Sequence, residues 1–144
     1  MLTILSLTGY LMMVAGLLLL ILNKGLLSPS FVILVPQVAA VLLMIWARVT
    51  LGRRSFHATA GPTAGGLVTT GPYSLMRHPV YASVLLFVWA GILGNLTLTN
   101  IACGALAIGG VVLRTYCEES LLRLRYPEYD DYAKRTKRLV PFVL

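Results

Sequence analysis

Four apolar runs, at residues 3–22, 31–51, 79–95 and 99–117, occupy more than half of this 144-residue chain. Ile4 to Leu22 alone is 19 residues long and uncharged, close to the about 20 residues a helix needs to cross a bilayer. Hydrocarbon offers no hydrogen bonds, so runs of this kind satisfy their backbone internally, as helices. The expected fold is an all-α integral membrane protein: one domain, residues 1–144, with about four transmembrane helices and a C-terminal cytoplasmic helix. Composition agrees. The chain is 58% hydrophobic and 12% charged with a mean hydropathy of +0.83, whereas soluble proteins carry about 25% charged residues. The net charge of +7 does not imply nucleic acid as a partner, because the basic residues flank the apolar runs. Lipid head groups and topology explain them there. The N-terminus lacks the basic region and small-residue cleavage site of a secretory signal, so the first run is expected to remain as a span.

The breaks between runs are short. Asn23-Lys24-Gly25 separates the first two, and Ser28-Pro29-Ser30 is expected to cap the second helix. Pro36 falls one turn inside that helix, which a membrane span tolerates. Gly94-Asn95 and residues 97–100 form the next break, where Asn95 and Asn100 read as turn residues on the far side. The last two runs are brief for spans, so they tilt, or the fourth continues into water as a helix through Tyr126. After it, Pro127 reads as the first residue of a helix with Tyr129, Tyr132, Ala133 and Thr136 on one face. Leu139 to Leu144 is an apolar end expected to settle back on the membrane. Cys103 and Cys117 would stand about 21 Å apart on one helix, too far to pair, and read as apolar core residues. No His or acid is spaced to join them, so no metal site is expected.

Lysine and arginine set the expected orientation. The loop at 52–78 carries Arg53, Arg54 and Arg77, and the tail at 118–144 carries six more basic residues just beyond Arg114. The opposite side has Lys24. Both termini and the polar clusters are therefore expected in the cytoplasm, with a prokaryotic cytoplasmic membrane as the location. The 52–78 loop is long for a compact domain, which favours a functional or disordered segment. His57 within it reads as an exposed loop histidine.

Two polar clusters stand at this side. Arg77-His78-Pro79 opens the third run, flanked by Tyr73 and Tyr81. It is either an interfacial anchor with a helix start or part of a site; ionisable residues at a membrane favour function. Arg114 and Glu118 share a helix face at i, i+4, either as a local salt bridge or as a pocket. In a pocket, Arg114 can hold an anionic group and Glu118 a cationic one. All five acids lie between 118 and 131. A proton-coupled transporter, which needs an acid inside the membrane, is correspondingly disfavoured. Tyr73, Tyr81 and Tyr116 suit either an aromatic belt or stacking on a nucleobase.

The order L-V-T-T-G-P-Y-x-x-x-R-H-P-x-Y, then R-x-x-x-E-E-x-x-L, P-E-Y-x-x-Y and R-x-V-P, resembles the isoprenylcysteine carboxyl methyltransferase family across residues 65–142. That family looks related to membrane phospholipid methyltransferases. The resemblance implies S-adenosyl-L-methionine as cofactor without a Rossmann domain, and the chain has no G-x-G-x-x-G. It implies cofactor contacts from Leu67, Val68, Tyr73, His78, Pro79, Tyr81 and Glu118, which Arg77 joins as a carboxylate-binding fork. Arg114 corresponds to the substrate-side arginine. Glu119 is the one obvious proton acceptor if the methyl acceptor is an amine. Gly65-Gly66 and Ser83 depart from the usual pattern. The implied partners are the bilayer and a lipophilic methyl acceptor: an isoprenylcysteine-like or other lipophilic acid, with a phospholipid amine or a small thiol as alternatives. Oligomeric state is left open.

Overall fold

The computed structural model describes residues 1–52 and 66–139. Arg53, Arg54, His57, Gly65 and the apolar end from 140 to 144 lie outside the described residues. The elements are α1 (Leu2–Leu22), α2 (Phe31–Leu51), a 3-10 turn (Gly71–Ser74), α3 (Pro79–Gly94), α4 (Leu98–Arg125) and α5 (Tyr129–Arg135). Among the described residues there is no strand. The expectation of an all-helical membrane protein holds. By length and composition α1, α2 and α4 can each cross a bilayer, while α3 is a shorter apolar helix of 16 residues.

Helix α4 does continue past the apolar run. Its 28 residues span about 42 Å at a rise of about 1.5 Å per residue, more than the about 30 Å of hydrocarbon. Thr97 caps it, its hydroxyl accepting from the Asn100 backbone N–H at 3.1 Å. Asn100 is therefore not a turn residue. It is buried in the first turn of α4 and donates to the Asn95 carbonyl at 2.7 Å. Two other local expectations also shift. Ser30 precedes α2 but its side chain makes no capping bond, and α5 begins at Tyr129 rather than Pro127.

The helices pack in two antiparallel pairs, α1 on α4 and α2 on α3. Lipid tails are as apolar as leucine, so membrane helices associate through close packing over small residues. Gly16 shows this directly: a Cβ there would stand 2.7 Å from both the Cys103 carbonyl oxygen and the Ala107 nitrogen of α4. Two apolar clusters join the pairs. Leu20, Val88, Ile92 and Cys103 meet at one level, and Met13, Tyr81 and Val111 at another. Leu139 packs against the second cluster, which brings the tail back onto the bundle.

Gly16→Leu should destabilise the bundle by about 1–3 kcal/mol or more, because backbone rather than a flexible side chain fills the space. Gly109→Ala, whose Cβ would meet only the Met12 methyl at 3.5 Å, should be near neutral. Thermal midpoints in detergent compare the two.

Candidate active site

The site is assembled where the 70–78 segment, the C-terminal end of α4 and the tail converge. Pro79 starts α3 at a position where its missing N–H costs no helical bond. The residues just before it pair with the tail. Met76 and Lys137 form a parallel bridge, Arg77 N–H donates to the Lys137 carbonyl at 2.7 Å, and His78 N–H donates to that of Arg138 at 3.1 Å. The Tyr132 hydroxyl donates to the Tyr73 carbonyl at 2.6 Å. Tyr129, Tyr132 and Thr136 are buried, so the face read from the sequence is the one α5 turns inward.

Glu119 holds this junction together. Its side chain is 1% exposed, and a buried carboxylate is stable only when paired and hydrogen-bonded. It accepts from Arg77 Nε at 2.9 Å and from Arg138 through Nε and Nη2 at 3.1 and 2.7 Å, with Arg123 Nη2 at 3.7 Å. Arg77 also spends Nη1 on the carbonyls of Ala133 and Thr136 at 2.8 and 2.5 Å. The residue singled out as a proton acceptor is thus the centre of an ion-pair network binding α4, the 70–78 segment and the tail.

Its neighbour Glu118 faces a different set. It accepts from the Tyr81 hydroxyl at 2.5 Å and lies 3.2 Å from Arg114 Nε, which also donates to the Tyr81 hydroxyl. Arg114 is buried, whereas the Glu118 side chain keeps 21% of its surface open. His78 lies between the two carboxylates: Nδ1 is 3.6 Å from Glu118 and Nε2 is 3.4 Å from Glu119. Neither contact is an aligned hydrogen bond, and Nε2 is buried without a partner of that kind. Burial works against the imidazolium, but Glu118 and then Glu119 outweigh it and leave the histidine above its ordinary value. Tyr73 is pushed up to about 12, first by burial and then by Tyr132 and Glu118.

The structure therefore brings Arg77, His78, Pro79, Tyr81, Arg114, Glu118 and Glu119 together, with Tyr73 joined through Tyr132. Leu67 and Val68 are half-buried in the irregular stretch ahead of the 3-10 turn and make no hydrogen bond or ion pair to the cluster. Tyr116 is 63% exposed and faces away. Sequence reasoning missed Tyr10, whose ring lies 5.1 Å from the Arg114 guanidinium carbon. It also missed Arg138 as a partner of Glu119. One turn into the membrane from Tyr81 is an apolar cavity of about 230 Å³, lined by Leu17, Ala40, Met44, Ser83, Val84 and Phe87 among others. Among the described residues no three His, Cys, Asp or Glu side chains are grouped to hold a metal ion.

Helices this long and apolar, with a polar cluster at one end, define the chain as an integral membrane protein. A model of the phospholipid methyltransferase family matches residues 31–129, well over half the chain. The chain belongs to that family. It is similar to the nickel-cobalt-cadmium resistance protein NccN of Alcaligenes xylosoxydans xylosoxydans, 44% identical over 87 residues, which cover 57% of this chain and 39% of that protein. It is also similar to the cobalt-zinc-cadmium resistance protein CzcN of Cupriavidus metallidurans, 42% identical over 82 residues, 52% of this chain and 35% of that protein. The match thus spans well under half the length of either relative. No solved structure matches.

Glu119→Gln should cost about 3–5 kcal/mol, the range for breaking a buried pair and stranding its partner. A second expectation concerns pH. The folded state raises the His78 value, so its contribution to stability is complete below about 6.5, the unfolded value. That contribution is lost as pH rises through the higher folded value. The thermal midpoint of the wild type should therefore exceed that of His78→Asn by less as the pH is raised.

Proposed function

We propose that the chain is an S-adenosyl-L-methionine-dependent methyltransferase acting on a lipophilic acid at the cytoplasmic face of the membrane. One observation carries this reading: a buried Arg114, a partly open Glu118 and a charge-stabilised His78 stand together beside an apolar cavity. The fit to the cofactor rests on the donor set. Its amino-acid end is a zwitterion, which needs an anion for the ammonium and cationic or N–H donors for the carboxylate. Glu118 supplies the first and remains accessible; His78, with a buried Nε2 lacking an aligned partner, supplies the second. The cofactor brings a methyl group activated by a sulfonium.

The remaining work falls to the chain. Arg114 offers a planar fork to a carboxylate acceptor and holds it in line. An ionised carboxylate attacks without losing a proton, so no general base is required. Burial of Arg114, His78 and Tyr81 excludes water from the reacting centre. The apolar cavity accommodates part of the acceptor's hydrocarbon. It is smaller than the about 300–1,000 Å³ of pockets that enclose a whole ligand, so the rest of the lipid stays in the bilayer.

Family membership favours a second reading, methylation of a phospholipid amine. That chemistry must remove a proton from the attacking nitrogen, and the obvious acceptor, Glu119, is engaged by Arg77 and Arg138. Transfer of labelled methyl from S-adenosyl-L-methionine to a panel of lipid carboxylates and amines separates the readings; this reading expects the carboxylates to be the acceptors and their methyl esters the labelled products. Arg114→Ala should lower turnover about 100-fold with little change in cofactor affinity. Glu118→Ala should weaken that affinity roughly ten- to hundred-fold, the range for a hydrogen bond to a charged group. Normal turnover by both variants would refute the assignment.

A further inference from the structure

Helix α1 lies outside residues 31–129, the part matched by the family model, and none of the sequence motifs falls within it. It nevertheless meets α4 at the turn that carries Arg114. A Cβ on Gly9 would stand 2.8 Å from the Gly110 carbonyl oxygen, 3.1 Å from the Arg114 nitrogen and 3.4 Å from the Arg114 Cβ. The glycine lets the two backbones touch there. The next residue, Tyr10, then lays its ring 5.1 Å from the guanidinium carbon of Arg114. From α3, the Tyr81 hydroxyl accepts from Arg114 Nε, and Glu118 Oε1 lies 3.2 Å from the same nitrogen. The guanidinium is thus contacted by an aromatic face from α1 and by oxygen acceptors from α3 and α4.

An arginine inside a membrane tends to stretch its long side chain toward the head groups. The negative face of an aromatic ring attracts a guanidinium, most strongly where water is excluded, and Arg114 is 5% exposed. We propose that Tyr10 is a positioning residue: its ring holds the Arg114 guanidinium in the orientation that receives the acceptor's anionic group. The inference rests on the proposed role of Arg114 in methyl transfer. It assigns to α1 a part in the reaction beyond spanning the membrane. Leu17, two turns further along α1, lines the apolar cavity, so α1 borders both the polar and the apolar end of the acceptor's path.

The test varies the ring's charge distribution at constant shape. Full-length wild type, Tyr10→Phe, Tyr10→Leu and protein carrying pentafluorophenylalanine at position 10 are compared for tritium transfer. The donor is methyl-labelled S-adenosyl-L-methionine and the acceptor a lipid extract of the membranes in which the protein is made. Cofactor affinity is measured on the same samples. Tyr10→Phe should retain most of the wild-type rate. Tyr10→Leu and the fluorinated ring, whose face is no longer negative, should lose roughly five- to thirty-fold, in keeping with one desolvated cation–π contact. Cofactor affinity should stay within about twofold throughout, as expected of a group that acts through Arg114 rather than on the donor. In an Arg114→Gln background, Tyr10→Leu should add almost nothing, since the two act as a unit. Should Tyr10→Leu fail to fold, the phenylalanine and fluorinated forms decide the question alone. Equal rates from those two would overturn the role of Tyr10 and leave the methyl-transfer reading intact. A folded wild type that neither binds the cofactor nor transfers label would overturn both.

Discussion

A carboxylate that is 1% exposed must be surrounded by cations, and the network around Glu119 meets that demand with Arg77 and Arg138 in direct hydrogen bonds and Arg123 and His78 close by. The two hydrogen-bonded cations, Arg77 and Arg138, come from segments outside the packed helices. Arg77 ends the loop before α3, Arg138 lies in the tail beyond α5, and Arg123 is in the last turns of α4. Joining them fixes the backbone of 76–78 against 137–138, and that pairing sets the position of His78. Breaking a buried pair by removing one partner is strongly destabilising, because it strands the other charge. The neighbouring Glu118 can then remain partly open, available to a ligand.

Adjacent glutamates therefore divide the labour. On a helix, successive positions point about 100° apart, so Glu118 turns to Arg114 and Tyr81 while Glu119 turns to the tail. The same reasoning places Arg114 and Glu118 on one face. The apolar cavity lies on the membrane side of this polar layer and the partly open Glu118 carboxylate on the other. Such an arrangement suits the proposed reaction between a water-borne donor and a membrane-borne acceptor.

Much of this was legible in the chain because hydrocarbon permits so few solutions. Runs of apolar residues gave the helices, and the i, i+4 rule paired Arg114 with Glu118. The Tyr129/Tyr132/Thr136 spacing gave the buried face of α5. The convergence of 77–81 with 114–119 needed the family resemblance as well as residue types. Other features could not be read. The contact between Tyr10 and Arg114 crosses from one helix to another about a hundred residues away, and periodicity carries no information about partners. Glu119 reads as a possible base because its two hydrogen-bonded partners, Arg77 and Arg138, come from the segment ahead of α3 and from the tail, which no spacing rule links to it. The i, i+4 pair with Arg123 is the one local sign. Asn100 looked like a turn residue because the side-chain cap of Thr97, which starts α4 just before it, depends on backbone geometry.

The proposed pocket for S-adenosyl-L-methionine rests on Glu118 and His78. Isothermal titration of the folded protein in detergent with that cofactor addresses it without knowledge of the acceptor. A single saturable site is predicted for the wild type, markedly weakened in Glu118→Gln, which preserves shape and removes the charge. A folded wild type that shows no saturable binding, or a Glu118→Gln variant that binds as tightly as the wild type, would contradict this assignment of the pocket.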